Sequence, residues 1–206
     1  MMIERWAATI IALVAWTGLG VQFGATFAMT GNVGKTLWIM VLYFTIIGNI
    51  AVALAFTALA AGRSHRPSPF ILGGVTITML LVGIIYNTLL RGMVELSGGA
   101  KAADLLNHTV TPVLVSAFWF FLAERGRLRW SAPLKWALLP LAYFPYGLLR
   151  GWTGGRYPYP FMDLQELGWG RTLVNAIAIA TCFTLLGYAM VWWDRRSLPT
   201  VRSLPS

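Results

Sequence analysis

Long apolar runs separated by short polar stretches make up most of this chain. Six runs have few or no charged residues, at positions 6–29, 36–61, 70–90, 105–123, 134–149 and 172–193. A helix needs about 20 mostly apolar residues to cross roughly 30 Å of hydrocarbon, and these runs approach or exceed that length. The pattern therefore predicts an all-α, polytopic integral membrane protein built as a six-helix transmembrane bundle. The fifth run is the weakest, because Lys135, Pro140 and Pro145 lie within it.

Composition and loop length agree with a single membrane domain. Hydrophobic residues make up 57% of the chain, charged residues make up 11%, and the mean hydropathy is +0.66. These values lie outside the range of soluble domains. The loops are too short for a soluble module, so we expect residues 1–194 to form one transmembrane domain and residues 195–206 to form a short polar tail. The first run is too long for the apolar region of a signal peptide.

The net charge of +9 is distributed as in a membrane protein. With six spans, 10 of the 16 Lys and Arg residues lie on the side of the two termini, where the net charge is +7, against +2 on the other side. The positive-inside rule then predicts a multi-pass protein of the cell membrane (plasma or inner membrane) with both termini in the cytoplasm. We expect membrane lipids as partners, with anionic headgroups attracted to the basic side, and no nucleic acid.

One histidine lies at membrane depth. His108 falls inside the fourth run, whereas His65 lies in a polar loop. Ionisable side chains within a membrane are costly to bury and usually serve a function. Even a neutral imidazole needs hydrogen-bond partners where water is scarce. One imidazole and one distant carboxylate do not make a metal-ligand set, so we expect no metal and no cofactor.

Polar residues of the predicted spans collect at one level. The six-span topology places these side chains in the outer half of the membrane or near its middle: Thr45, Asn49, Tyr86, Asn87, Asn107, His108, Tyr146 and Asn175. The inner half holds far fewer strong hydrogen-bonding groups. We interpret the layer as a polar cavity open to the outer leaflet. The candidate substrate-lining residues are Tyr86, Asn107, Tyr146, Tyr159 and Phe161.

Helical spacing relates the histidine to two other side chains. Asp104 precedes His108 by four residues, so the two share a helix face, and the carboxylate could orient the ring as the third member of a catalytic triad does. A role for Asp104 as a helix N-cap fits the same position. A hydroxyl from the second span, that of Thr45, would complete a nucleophile–base pair. Intramembrane threonines also commonly hydrogen-bond to their own helix.

Three asparagines are candidates for a supporting role. Asn49 shares a helix face with Thr45, four residues before it, while Asn87 and Asn175 lie in the third and sixth runs. Any of the three could donate a hydrogen bond to a developing oxyanion. Asparagines also join membrane helices by hydrogen bonding without taking part in a reaction.

The longest loop, residues 150–171, alternates prolines with aromatic residues that include Tyr159 and Phe161. Proline fixes the backbone, and aromatic rings suit the headgroup zone of a bilayer. The loop is therefore interpreted either as an aromatic belt at the interface or as a lid over the cavity.

Three short motifs resemble a known family. They are YFT at 43–45 followed by Asn49, NHTVTP at 107–112, and YPYPF at 157–161. In this order they resemble a bacterial family of small multi-span membrane proteins. That family is similar to the animal androgen-induced membrane hydrolases and to the androgen-dependent regulator of tissue factor pathway inhibitor.

The resemblance implies a specific chemistry. The animal proteins are threonine hydrolases that cleave fatty acid esters of hydroxy fatty acids, using an intramembrane threonine and histidine. Applied to this chain, the resemblance implies Thr45 as the nucleophile and His108 as the base. We therefore expect an intramembrane lipid ester hydrolase that acts on fatty-acyl esters from the outer half of the bilayer. The alternative is a membrane protein that binds or transports a lipid or small molecule in the polar cavity without catalysis.

Overall fold

A computed structural model describes residues 2–62, 64 and 66–196. Within these residues the regular structure is helical. The α-helices are α1 (Met2–Thr30), α2 (Val33–Met40), α3 (Phe44–Ala61), α4 (Pro69–Ile85), α5 (Gly98–Leu105), α6 (Thr111–Phe121), α7 (Ala132–Trp136), α8 (Leu138–Gly154) and α9 (Leu164–Arg196). Two π-helical turns, Tyr86–Leu90 and Leu106–Val110, extend α4 and join α5 to α6, and a 3₁₀ turn covers Pro160–Met162.

Four helices are long and apolar enough to cross a membrane. They are Met2–Thr30, Phe44–Ala61, Pro69–Leu90 with its π turn, and Leu164–Arg196. The fourth and fifth apolar runs are each divided between two α-helices, as is the second. The described residues thus form helices, as the hydrophobic pattern predicts, and four of these helices have the length and composition of membrane spans.

Several helix boundaries differ from the predicted spans. The second run is broken between Met40 and Phe44, and the helices of the fourth run begin at Gly98 instead of 105. The sixth run begins at Leu164, kinks at Gly168, whose φ of +66° favours glycine, and stays helical to Arg196. The predicted tail at 195–206 therefore loses its first two residues to α9, and its remainder lies outside the described residues.

The early helices form the tighter part of the bundle. α3 packs against α1 and α4, and α4 packs against α6. Ten of the 18 residues of α3 are buried, and Phe56 of α3 meets Phe118 of α6 edge-on with ring centroids 5.0 Å apart. Where Trp136 packs on α4, Gly73 and Gly74 are required, because an added Cβ at either would lie within 3 Å of the indole ring.

The last helix is less enclosed. Six of the 33 residues of α9 are buried, and α9 contacts α7, α8 and α4. At one end of the bundle Arg66 pairs with Glu4 of α1 at 2.6 Å and with Glu124 at 3.4 Å. These ion pairs bring the start of α1, the loop before α4 and the segment after α6 together.

Candidate functional site

Two π turns face each other and carry four of the eight residues of the predicted polar layer. In each turn the closing hydrogen bond spans five residues: Arg91 N–H donates to the Tyr86 carbonyl at 2.8 Å, and Thr111 N–H donates to the Leu106 carbonyl. Such turns insert one residue into a helix and occur often at functional sites. The turns contact each other, so side chains from distant parts of the sequence meet there.

Tyr86, Asp104 and His108 form a connected group between these turns. The Tyr86 hydroxyl donates to Asp104 Oδ2 at 2.6 Å, and His108 Nδ1 lies 3.0 Å from Asp104 Oδ1. The Tyr86 ring stacks on the imidazole with centroids 3.9 Å apart and planes at 16°. His108 Nε2 has no hydrogen-bond partner in the part of the chain that the structure describes. An imidazole held at Nδ1 by a carboxylate, with Nε2 unengaged, is the arrangement of a general base.

The N-cap alternative for Asp104 is wrong. The helix begins at Gly98, one residue after its N-cap Ser97, so Asp104 lies in its interior. The carboxylate therefore serves side chains and not a helix end. The four-residue spacing to His108 correctly predicts the contact, which is made within one helix turn.

Asn87 fixes the backbone beside the histidine. Its side-chain N–H groups donate to the carbonyls of Gly83 at 2.8 Å and His108 at 3.3 Å, and its oxygen accepts from Arg91 at 3.0 Å. The His108 carbonyl is available because Pro112, four residues later, has no N–H to bond it. Asn87 thus links one π turn to the other. Its side-chain N–H groups are engaged by these carbonyls and are not available to an oxyanion in this structure.

A second pair of amides lies deeper in the bundle. Asn49, fully buried, donates to the Thr45 carbonyl at 2.9 Å and to the Asn107 carbonyl at 3.1 Å. Asn107, 1% exposed, donates to the Gly18 carbonyl at 3.2 Å. A Cβ on Gly18 would lie 2.5 Å from Asn107 Oδ1, so only glycine admits this contact. Buried polar groups in a membrane require such partners.

Tyrosines of α8 hydrogen-bond to the backbone carbonyls at the break before α3. The Tyr143 hydroxyl donates to the Leu42 carbonyl at 2.8 Å, and the Tyr146 hydroxyl donates to the Val41 carbonyl at 3.1 Å. These carbonyls are free because the helix does not continue through them. The tyrosine hydroxyls therefore satisfy two backbone carbonyls that the interruption of the helix leaves without a partner.

Thr45 lies in the first turn of α3, next to that break. Its side chain is buried, and its N–H donates to the Tyr159 hydroxyl oxygen at 3.4 Å. Burial raises the pKa of the Tyr159 hydroxyl, so this loop tyrosine stays neutral beside the threonine.

An apolar cavity of about 300 Å³ lies against Thr45. Its polar lining residues are Thr45, Tyr86, Tyr143 and Tyr159, and the rest of its wall consists of apolar side chains from α3, α4, the π turn after α4, α8, α9 and the 3₁₀ turn. This volume is within the range of small-molecule sites. The cavity thus joins the threonine to the tyrosine that holds the Asp104–His108 pair.

One side of the cavity reaches the outer surface of the bundle. Leu141 of α8 and Ile177 of α9 line the cavity, yet they are 53% and 65% exposed. On a membrane protein such exposed apolar side chains face acyl chains. A lipid could therefore reach the cavity sideways, between α8 and α9.

The predicted site residues separate into three groups. Tyr86, Asn87, Asp104 and His108 meet at the π turns; Asn49 and Asn107 lie in the buried amide pair; Thr45, Tyr159 and Phe161 line the cavity. Among the described residues no hydrogen bond joins Thr45 to His108, and His108 does not line the cavity. The pairing of these two side chains therefore stays a prediction.

The remaining candidates have structural contacts. Tyr146 accepts a hydrogen bond from Arg150 and does not line the cavity, while Asn175 donates to the Phe161 carbonyl at 3.1 Å and so anchors the loop to α9. Tyr143 was not among the predicted site residues, although it lies three positions before Tyr146, a spacing that places both on one helix face.

Comparison with known proteins adds no relative. No family model, curated protein or solved structure matches the chain. Within the residues that the structure covers, no three His, Cys, Asp or Glu side chains lie together as a metal site would require.

Proposed function

We propose that this protein is an intramembrane hydrolase of fatty-acyl esters, with Thr45 as the nucleophile and His108 as the base. One observation carries the proposal. The cavity beside Thr45 is also lined by Tyr86, whose hydroxyl and ring hold the Asp104–His108 pair. The family resemblance of the three motifs names the same threonine and histidine.

The cavity suits a fatty-acyl chain. Its wall is apolar apart from a few hydroxyls, so a hydrocarbon chain leaves no buried donor or acceptor unpaired. The Tyr159 hydroxyl lies beside Thr45, where the ester group would be held. A substrate with an apolar tail and a polar reacting group therefore fits better than a polar metabolite.

The reaction proceeds through an acyl-threonine. Thr45 Oγ attacks the ester carbonyl and gives its proton to His108 Nε2, and the C–O bond to the alcohol breaks as His108 returns that proton to the leaving oxygen. Water then attacks the acyl-threonine, losing a proton to His108. The Thr45 oxygen leaves and regains a proton, and the free fatty acid is released.

Substrate binding must bring the base to the nucleophile. In the resting structure no hydrogen bond joins Thr45 to His108 among the described residues, and catalytic hydrogen bonds commonly tighten only in the substrate complex. Asn49 links the backbones that carry the two groups. It donates hydrogen bonds to the Thr45 carbonyl and to the carbonyl of Asn107, which precedes His108. The proposed proton path therefore requires that the substrate complex bring Thr45 Oγ and His108 Nε2 together, directly or through water.

The proposal also includes a topology. All six apolar segments cross the cell membrane, with both termini in the cytoplasm as the charge distribution predicts. The cavity then lies nearer the outer leaflet. Membrane lipids are both the solvent and the source of the substrate.

The test is covalent labelling by a fluorophosphonate probe in native membranes. Thr45→Ala and His108→Ala should each abolish labelling, and mass spectrometry of the labelled protein should locate the adduct on Thr45. Matched controls are Thr184→Ala, an intramembrane threonine that bonds its own helix at Ala180, and His65→Ala. Undiminished labelling of Thr45→Ala would end the assignment of the nucleophile.

Lipid binding without catalysis is the second candidate. It is favoured by the absence, among the described residues, of a hydrogen bond between Thr45 and His108. Under this function a fatty acid would remain bound to purified protein and Thr45→Ala would retain it, with no labelling of the wild type by the probe. Retention of the lipid together with labelling on Thr45 would favour the hydrolase.

A further inference from the structure

The end of the bundle that holds Arg66 and Glu4 also carries a fixed basic surface. Asp194 of α9 is 1% exposed. Its side-chain Oδ2 accepts from Leu128 N–H at 3.0 Å, and its carbonyl accepts from Gly126 N–H at 3.1 Å. Arg195 donates to the Leu128 carbonyl at 3.3 Å. The loop after α6 is therefore bound to the end of the last helix through its backbone.

This anchoring displays a set of cations, which we name the basic patch. Its members are the exposed side chains of Arg127, Arg129, Arg195 and Arg196. In the described part of the chain none of these four guanidinium groups forms an ion pair: Asp194 accepts from the Leu128 N–H, and Glu124 pairs with Arg66. The positive charge of the patch is thus available to an external anion.

Indole rings accompany these guanidinium groups. Arg195 lies over Trp130 with 5.9 Å from Cζ to the ring centroid, and Arg196 lies over Trp192 at 3.8 Å. Trp130 and Trp192 are 49% and 44% exposed. Half-exposed tryptophans are typical of the membrane–water interface, and guanidinium groups there match the geometry of phosphate oxygens.

We propose that the basic patch binds the phosphate headgroups of anionic phospholipids in the leaflet at this end of the bundle. The patch differs from the general excess of basic residues that the positive-inside rule describes, because hydrogen bonds to buried Asp194 fix the position of the loop that carries Arg127 and Arg129. The inference is independent of the proposed hydrolase activity, since it uses none of the cavity residues. Indoles at the interface favour a lipid over a nucleic acid as the source of the phosphate.

The experiment titrates purified protein with phosphatidylglycerol or phosphatidylcholine of identical chains and counts bound lipids by native mass spectrometry. The wild type should prefer phosphatidylglycerol. Arg127→Ala/Arg129→Ala should reduce that preference on the order of tenfold. The matched control, Arg156→Ala/Arg171→Ala, removes two exposed charges outside the patch and should keep it. Equal loss or equal retention in the two double variants would overturn the proposal.

A second variant separates placement from charge. Asp194→Ala makes the chain more positive by one charge but releases the loop, so the preference should fall despite the added charge. A preference that is retained or increased would show that net charge alone attracts the lipid. Displacement of the bound phosphatidylglycerol by a short RNA would also contradict the assignment. Thermal unfolding confirms that each variant compared is folded.

Discussion

Two regions that meet at α3 are packed in different ways. In one region Asn49 and Asn107, 0% and 1% exposed, hydrogen-bond to backbone carbonyls of neighbouring segments. In the other region, one helix turn before Asn49, Thr45 meets an apolar cavity of about 300 Å³ that reaches α8 and α9. We call the first region the amide side and the second the cavity side. One helix thus joins a part of the bundle that is tightly specified to a part that leaves room for a ligand.

The difference follows from what holds membrane helices together. Lipid tails are as apolar as leucine, so close helix packing in a bilayer depends on small residues and on interhelical hydrogen bonds. The amide side has both, with Gly18 beneath the Asn107 side chain. The cavity side has large apolar residues and hydroxyls in place of buried amides. We infer that the amide side fixes the position of His108 while the cavity side admits an acyl chain.

The largest predicted effect comes from Gly18→Ala. Its Cβ would lie 2.5 Å from Asn107 Oδ1, so the amide must move and the bond to the Gly18 carbonyl is lost. We expect a loss of about 3 kcal/mol in the free energy of unfolding, measured in mixed micelles by titration with a denaturing detergent. Gly20→Ala is the control, because nothing lies within 4 Å of its Cβ.

A double variant makes that prediction specific. Asn107→Ala removes the amide oxygen with which the Cβ introduced by Gly18→Ala collides. Gly18→Ala combined with Asn107→Ala should therefore be less destabilised than the sum of the single variants. Additive losses would mean that Gly18 matters for a reason other than contact with this amide.

Asn49→Ala should have the next largest effect. It leaves the Asn107 carbonyl without its donor in a fully buried position, and we expect a loss of about 2 kcal/mol in the free energy of unfolding. Asn87→Ala is the comparison, because it also bridges two carbonyls but is exposed. We expect a smaller loss of unfolding free energy for Asn87→Ala in the same titration, because Asn87 is less buried. Equal losses for the two variants would contradict the assigned role of burial.

The two regions differ in how much of their structure could be predicted from the sequence. Hydrophobic periodicity correctly predicts a helical fold with helices long and apolar enough to cross a membrane, and the four-residue spacing of Asp104 and His108 correctly predicts their contact. Both signals are local. The break at residues 41–43 is not visible in an apolar run, because the groups that stabilise it, Tyr143 and Tyr146, lie about 100 positions later in the chain.

The cavity side is the less predictable region for the same reason. The Tyr159 contact of Thr45 joins residues separated by 114 positions, and no spacing rule links a loop tyrosine to a helix start. The π turns are also not predicted by a hydrophobic period of 3.6 residues, because each turn inserts one extra residue into the helix. Side chains that follow such a turn point in a direction that an ideal helix does not give.

Tyr86→Phe tests the connection between the two sides. The variant keeps the ring that stacks on His108 but removes the hydroxyl that donates to Asp104 at 2.6 Å. Asp104 retains its contact with His108 Nδ1, so we expect a loss of only about 1 kcal/mol in the free energy of unfolding. Fluorophosphonate labelling should slow several-fold. Tyr188→Phe is the control, because its hydroxyl makes no hydrogen bond in the described part of the chain.

Filling the cavity should change stability least and ligand binding most. Ala180 of α9 lines the cavity, so the side chain of Ala180→Leu would occupy space that an acyl chain needs. We expect the free energy of unfolding to stay within about 0.5 kcal/mol of the wild type, because no existing contact is displaced. Binding of a fluorescent fatty acid should weaken strongly. Ala178→Leu, an exposed position on the same helix, should leave binding unchanged, and equal binding by both variants would remove the cavity from the proposed acyl site.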